Sequence, residues 1–473
     1  MFEEKLKEFE PIFYPESIAV VGVSANEMKT ASAWVNALIS SGFSGAIYPV
    51  GSSGGTISSL KIFPNLRLIP GEIDYAIVAI PRQSVLQLLD DCAAKKVKAV
   101  QFFTAGFSEI GNPEGYKLEE QMLKKAKLGG TRIIGPNCIG VYCPEHKMAF
   151  PAGGIGTSGS VGFICQSGSV ASKLVELGIA RHINYSKGIS FGNGIDLDAS
   201  DFLQYLAADP KTTIIGAYLE GTRDGRRLFD TMKKVAEVKP LVVWKGGRTE
   251  VGAQAATSHT GSLTSPAAIW SAMLRQAGAI EVHSLEELSD ALLVFQQLRS
   301  WQGSNAAIIG GLADGGGGIS VSASDACEES GLKLPPLSTR TKEELIKLLG
   351  EVGSILCNPI DVSQAQFHGL TTLFQAINSV AEDPVIDLIL IQEDVDILLS
   401  VYPREWAEEL NEFFVDLRSR QDKPLVIVLP PGSAEPERLD IEQRLLEAAI
   451  PVFPTMERAA KAIVAINKYF GSK

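Results

Sequence analysis

Cysteine is sparse in this 473-residue chain and carries no pairing signal: Cys92, Cys138, Cys143, Cys165, Cys327 and Cys357 show no CxxC spacing. Neither a zinc site nor a disulfide framework follows, and a reducing cytoplasm is the expected setting. No apolar run approaches the ~20 residues a membrane span needs. Met1 to Pro11 mix acidic and basic residues where a secretory signal would carry an apolar core. A membrane is therefore not an expected partner. Nucleic acid is not one either, since the net charge is −12 and no lysine or arginine cluster is dense enough to overturn it. Any anion site must be local. The full GxGxxG of a dinucleotide fold is missing, because positions 27 to 30 read Glu27-Met28-Lys29-Thr30. No acidic residue closes the second strand either, where Val50 leads into Gly51-Ser52-Ser53. A nicotinamide cofactor is disfavoured relative to another adenine-containing ligand. A Walker GxxxxGKS/T is also absent. The composition, 45% hydrophobic and 21% charged, is that of a soluble globular protein of roughly two to four domains.

Three segments open alike, with an apolar strand-like run, a turn of small residues and a helical pattern. The first is Ser17 to Ser24, followed by a helix pattern near Ala33 to Ser40 and strands near Ala46 to Val50 and Tyr75 to Ile80. The second runs from Gly162 to Ser169 into Val170 to Leu177, with later strands near Thr213 to Leu219 and Leu241 to Lys245. The third is Ala306 to Gly310, with a helix pattern ending at Ser330. Strands separated by helix-length intervals predict an α/β protein of three βα domains, each a parallel sheet covered by helices on both faces. Glycine- and serine-rich stretches near Ala152 to Ser160 and Ser300 to Asn305 place the boundaries, giving domains 1–150, 151–302 and 303–473.

The carboxyl edges of such sheets are where ligands bind. In the first domain, Gly22-Val23-Ser24 ends a strand before a helix, an arrangement that would aim backbone amides at an anion. Ile80-Pro81-Arg82, Thr104-Ala105-Gly106-Phe107-Ser108-Glu109 and Gly135-Pro136-Asn137-Cys138-Ile139-Gly140 line the same edge. Lys29, Lys61 and Arg82 could meet phosphates, although solvated surface charge is the commoner role for any one of them. Asn137 could orient a polar ligand, or mark a structural turn only. In the second domain, Gln166-Ser167-Gly168-Ser169 joins strand to helix, so free amides, the helix dipole and two hydroxyls could hold a dianion. A plain strand-to-helix turn is the competing account. Glu220 ends a buried strand, a costly place for a carboxylate without a partner. Such a partner could be His259, one of only five histidines, in the small-residue loop Ala256 to Ser262. That loop precedes a helix start with Ser265 as N-cap and Pro266 in the first turn. A carboxylate accepting from one ring nitrogen leaves the other nucleophilic, as attack on phosphorus requires. His146, His182, His283 and His368 have no comparable setting.

In their order, these motifs resemble those of the nucleoside-diphosphate-forming acyl-CoA synthetases, relatives of succinyl-CoA synthetase. Ser190-Phe191-Gly192-Asn193, Tyr218-Leu219-Glu220-Gly221, Lys245-Gly246-Gly247-Arg248, Asp325 to Leu332 and Asn358-Pro359-Ile360-Asp361-Val362 complete the set. The resemblance implies a Rossmann-like CoA-binding domain followed by two flavodoxin-like domains. It implies that phosphoryl passes from ATP to His259, supported by Glu220, then to a carboxylate as an acyl phosphate, from which CoA displaces phosphate. Gln166, Ser167, Gly168, Ser169, Thr260 and Gly261 would bind the phosphoryl group. Gly22, Ser24, Lys29, Val50, Pro81, Arg82, Ala105, Gly106 and Asn137 would bind CoA. No residues are left over for the ATP-grasp module of the family, so ATP, ADP and Mg²⁺ are expected on a separate beta subunit of a hetero-oligomer. Departures from the family pattern at Glu27 to Thr30, at Gly51-Ser52 and at Gly310 to Asp314 could mark a different acyl substrate. Two alternatives stand beside the ligase: a catalytically silent CoA-binding scaffold, and a nicotinamide-dependent dehydrogenase, disfavoured by the missing ribose acid.

Overall fold

The computed structural model describes residues 2–24, 30–254, 266–298, 301, 303–312, 317–350, 357–363, 365 and 368–471. The chain divides into two compact units, Met1–Leu292 and Leu293–Lys473. Unit one opens with helix α1 (Phe2–Phe13) and strand β1 (Ser17–Val21), then α2 (Thr30–Ser41), β2 (Ala46–Val50) and a small ribbon of β3 (Thr56–Ile57) and β4 (Leu60–Lys61). Strands β5 (Tyr75–Val78), β6 (Ala99–Phe102) and β7 (Arg132–Ile134) follow, separated by α3 (Val85–Lys95) and α4 (Pro113–Gly129). All residues of β1, β5 and β6 are buried, as strands covered on both faces must be. The five-stranded sheet is parallel in the order β2-β1-β5-β6-β7.

A six-stranded sheet completes unit one: β8 (Gly140–Tyr142), β9 (Ser158–Cys165), β10 (Tyr185–Ser190), β11 (Ile214–Leu219), β12 (Leu241–Lys245) and β13 (Ile280–Val282). Its order is β13-β12-β11-β9-β10-β8, with α5 (Gly168–Ala180), α6 (Ala199–Ala208) and α7 (Gly225–Val238) among its crossovers. Unit two carries β14 (Ala306–Gly310), β15 (Ile360–Asp361), β16 (Leu388–Gln392), β17 (Leu425–Val428) and β18 (Val452–Phe453) in the order β15-β14-β16-β17-β18. Each sheet thus places the second parallel strand of its segment beside the first and the third on the first's other side. Each has its topological switch point, the preferred ligand crevice, between those first and third strands. The pairs are β1 with β5, β9 with β11, and β14 with β16.

Strand β8 departs from the expected all-parallel pattern and from a division of sheets at residue 150. Five residues separate it from β7, too few for the crossover a parallel neighbour needs. It leaves the first sheet and pairs antiparallel with β10. Helix α1 also crosses over: Phe13 stacks on Tyr205 of α6 at 4.5 Å between ring centroids, and Phe9 packs on Tyr205 and Phe202. All six cysteines are free, and among the described residues no helix is long and apolar enough to cross a membrane.

At the base of this packing, the fully buried Lys187 ammonium donates to Asp209 at 2.8 Å, and the Thr212 hydroxyl donates to the same oxygen at 2.7 Å. Burial opposes ionisation of Asp209, but Lys187 and Thr212 overcome it and hold the carboxyl below its ordinary range. Replacing Lys187 with Met strands the carboxylate and is expected to cost about 3–5 kcal/mol at neutral pH, measured by denaturant unfolding. A carboxyl with a depressed folded pKa stabilises above its unfolded value. Without Lys187, burial raises the Asp209 carboxyl in the variant, so the deficit should begin to shrink above about pH 4 as that carboxyl takes up a proton, and shrink further below it as wild type loses its own ion pair.

Candidate active site

The carboxyl edge of the first sheet is closed by hydrogen bonds between neighbouring turns. Gly22, at φ +104°, follows β1. Its amide and that of Val23 both donate to the Val50 carbonyl at 2.9 Å. This corrects the expectation that these amides face an anion: they are engaged, and Val50 acts by closing the turn. Ser24 accepts the Ser32 hydroxyl through its carbonyl at 3.2 Å, and Lys29 lies outside the described residues. Beyond β5, Pro81 leads into a single 3₁₀ turn, and Arg82 Nη1 donates to the Gly106 carbonyl at 2.7 Å. Thr104 Oγ1 donates to the Ile80 carbonyl at 2.7 Å, and the Asn137 amide donates to the Thr104 carbonyl at 3.0 Å. Glu109 receives the amides of Gly106 at 2.5 Å and Phe107 at 3.0 Å. Pro81, Arg82, Ala105, Gly106 and Asn137 are therefore brought onto one hydrogen-bonded rim. Lys61 is exposed on the ribbon, with its ammonium over Phe63.

At the switch point of the second sheet the side chain of Gln166 spans two strand ends. Its Oε1 accepts the backbone amides of Glu220 at 2.7 Å and Gly221 at 3.0 Å, while the backbone amide of Gln166 donates to the Tyr218 carbonyl at 3.0 Å. Ser167 is the N-cap of α5, and its Oγ lies 3.0 Å from Ser169 Oγ. The first amides of α5 have no helical acceptor and aim along the positive end of the helix dipole. Tyr218 donates its hydroxyl to Glu220 Oε1 at 3.1 Å, and burial, then the Glu220 charge, raises the phenol above its ordinary range. Lys245, beside Leu219 at the end of β12, is 1% exposed. Its ammonium lies 5.2 Å from the centre of the Trp270 ring. Burial pushes Lys245 below the usual lysine range, while the Glu220 charge pulls the other way.

The two edges are stitched together by the Gly135-Pro136-Asn137-Cys138-Ile139-Gly140 segment. A Cβ on Gly168 would come within 3.0 Å of Ile139 Cγ2, so the start of α5 packs directly on this segment. Gly192, at φ +54°, lies against the same turn: a Cβ there would lie 2.2 Å from the Pro136 carbonyl oxygen. The Asn193 amide donates to Pro136 O at 3.0 Å, and the Ile195 amide to Gly135 O at 3.1 Å. Ile139 N donates to Ser190 Oγ at 3.4 Å.

His259, Thr260 and Gly261 lie outside the described residues. The described chain runs on past β12 to residue 254 and resumes at Pro266. There Pro266 is itself the N-cap, at φ −51° and ψ 139°, and the helix Ala267–Ala277 follows. This displaces the expected Ser265 cap by one residue, because proline's fixed φ also fits the extended residue just before a helix. His146 Nε2 is 2.8 Å from the Pro15 carbonyl, a satisfied structural position. Sequence reasoning assigned no role to Lys245, Asn193, Glu109, Glu119 or Arg223. The first three stand in motifs already singled out; Glu119, in the middle of α4, gave no signal. Among the described residues no cluster of three metal-ligating groups occurs.

Residues 16–144 match the CoA binding domain family, and residues 158–295 the succinyl-CoA ligase like flavodoxin domain family. The alpha subunit of the ADP-forming acetate–CoA ligase I of Pyrococcus furiosus is 36% identical over 97% of this chain and 97% of that subunit. The ADP-forming acetate–CoA ligase II of Archaeoglobus fulgidus is 32% identical over 99% of this chain, which spans 68% of that protein. Among solved structures, the dinucleotide forming acetyl-coenzyme A synthetase 1 of Ca. Korarchaeum cryptofilum, in complex with phosphate and ADP, has a TM-score of 0.84 and 30% identity. That match covers 98% of this chain and 96% of the other. The chain belongs to the family of ADP-forming acyl-CoA synthetases, in which it resembles the alpha subunits.

Gln166→Ala removes the acceptor shared by two buried amides. It is expected to cost about 1–3 kcal/mol for each donor left unsatisfied, seen as a lower denaturation midpoint. Gln166→Glu keeps an acceptor but buries a second carboxylate beside Glu220, so it should not restore the wild-type midpoint at neutral pH.

Proposed function

We propose that this chain is the CoA-binding, phosphohistidine-bearing alpha subunit of an ADP-forming acyl-CoA synthetase. The reaction converts a carboxylic acid, CoA and ATP reversibly to acyl-CoA, ADP and phosphate. The observation that carries this reading is the convergence of Gln166, the start of α5 and the Glu220–Gly221 turn at one switch point, packed against the segment that bears Asn137. Residues 1–150 form the CoA domain, lending β8 to the next sheet; 151–302 carry the phosphoryl chemistry; 303–473 form the second ligase domain.

His259 takes the γ-phosphoryl of ATP as the nucleophile, and ADP leaves. Glu220 accepts a hydrogen bond from the histidine ring, fixing its tautomer, while Tyr218 holds the carboxylate in place. The α5 amides, Ser167 and Ser169, with Thr260 and Gly261, receive the phosphoryl oxygens. A substrate carboxylate oxygen then attacks phosphorus, giving an acyl phosphate and free His259. The CoA sulfur attacks the acyl carbon, the thiol proton is lost, and inorganic phosphate departs. Arg82 faces the CoA phosphates, and the Gly106 and Asn137 turns seat the rest of the cofactor.

ATP and Mg²⁺ belong to a separate ATP-grasp beta subunit. Two facts support this: the Pyrococcus furiosus relative matched from end to end is itself named a subunit, and the Archaeoglobus fulgidus relative, whose name carries no subunit designation, is longer than this chain. The six free cysteines suit a reducing cytoplasm.

The test is turnover by this chain combined with an ATP-grasp partner, ATP, Mg²⁺, CoA and a panel of short, branched and aromatic acids. Formation of ADP and acyl-CoA together is expected. His259→Ala should abolish both, and Glu220→Gln should slow them by on the order of 10²–10⁴. CoA binding without turnover on any acid would favour a silent scaffold.

A further inference from the structure

One buried amide joins three segments of the candidate site. Asn193 Nδ2 donates to Glu109 Oε2 at 2.7 Å and to Glu119 Oε1 at 2.8 Å, with Ser108 Oγ at 3.4 Å. Glu109 also holds the Gly106 and Phe107 amides. Glu119, on α4, accepts the Ser108 amide at 3.2 Å and its hydroxyl at 2.6 Å through Oε1, and Arg223 Nη2 at 2.7 Å through Oε2. Both carboxylates and Asn193 are more than nine-tenths buried. Arg223 lies three residues beyond Glu220 in the chain, and the Asn193 backbone is tied to Pro136.

Carboxylates accept hydrogen bonds and cannot donate them, so two buried side by side need a shared donor. The two N–H groups of one carboxamide answer that need in a fixed, planar geometry. Their direction also settles the orientation of Asn193, because its carbonyl cannot face the carboxylates. The first sheet supplies Glu109 and Glu119, and the loop after β10 supplies Asn193. The bridge therefore fixes the 104–109 turn against the second sheet, where the phosphoryl chemistry is placed.

Resting on the ligase function proposed above, we propose that Asn193 is a positioning residue that sets the CoA-binding turn at Ala105 and Gly106 relative to the phosphoryl-transfer edge. It acts through Glu109 and touches no reacting atom. Loss of the bridge lets that turn drift and weakens CoA without altering transfer from ATP to His259, a half-reaction that needs no CoA.

The experiment compares wild type and Asn193→Ala, each assembled with the partner subunit, in CoA titration and in ATP-dependent phosphorylation. About a tenfold rise in the CoA dissociation constant is expected, as for the loss of a hydrogen bond to a charged group, with the phosphorylation rate unchanged. Glu109→Gln, close to isosteric, gives a second reading with the same expected split if Asn193→Ala does not fold. Parallel losses in both half-reactions, tracking a lowered thermal midpoint, would make the bridge merely structural and overturn the proposal. So would unchanged CoA affinity. If wild type neither binds CoA nor takes up phosphate, the ligase function fails and this role with it.

Discussion

One side-chain carbonyl oxygen organises the carboxyl edge of the second sheet. Gln166 Oε1 accepts two successive backbone amides, those of Glu220 and Gly221, from the neighbouring strand end. A single side chain thereby fixes the turn that presents a carboxylate against the turn that begins α5. A buried carboxylate in this position would be costly without compensation. The Tyr218 hydroxyl and the nearby Lys245 charge supply some of it. The same oxygen that satisfies two backbone donors therefore also fixes the turn from which the Glu220 carboxylate projects, and the Tyr218 hydroxyl holds that carboxylate in turn.

The second constraint is the seam between the first two sheets. The Gly135–Gly140 segment serves both: its Asn137 amide bonds to Thr104 on the first edge, and its Ile139 side chain packs on Gly168 at the start of α5. Gly192 admits the Pro136 carbonyl where any side chain would collide. Strand β8 follows at once and enters the second sheet. A turn shared by the two edges sets how they lie beside one another.

Much of this was legible in the sequence, for a physical reason. In open parallel sheets function gathers at strand ends, and strand ends announce themselves by an apolar run breaking into small residues, as at Val21-Gly22, Cys165-Gln166 and Leu219-Glu220. What sequence could not show were hydrogen bonds between distant turns. The engagement of Gly22 and Val23 by Val50 removes amides that a local reading gave to a ligand. Glu119 sits on a helix whose neighbours are charged, so it reads as one more solvated residue, yet it is buried against Asn193 and Arg223. The antiparallel course of β8 was hidden for the same reason: a three-residue strand carries no mark of which sheet it joins.

The proposed function requires this chain to carry a phosphoryl group on His259 during thioester exchange. Peptide mass spectrometry after incubating the purified chain with phosphate and acetyl-CoA or other acyl-CoAs tests it in the reverse direction, without nucleotide. A phosphoryl adduct is expected on the peptide bearing His259 alone, and only when an acyl-CoA and phosphate are both present. No adduct under these conditions, or one placed elsewhere in the chain, would contradict it.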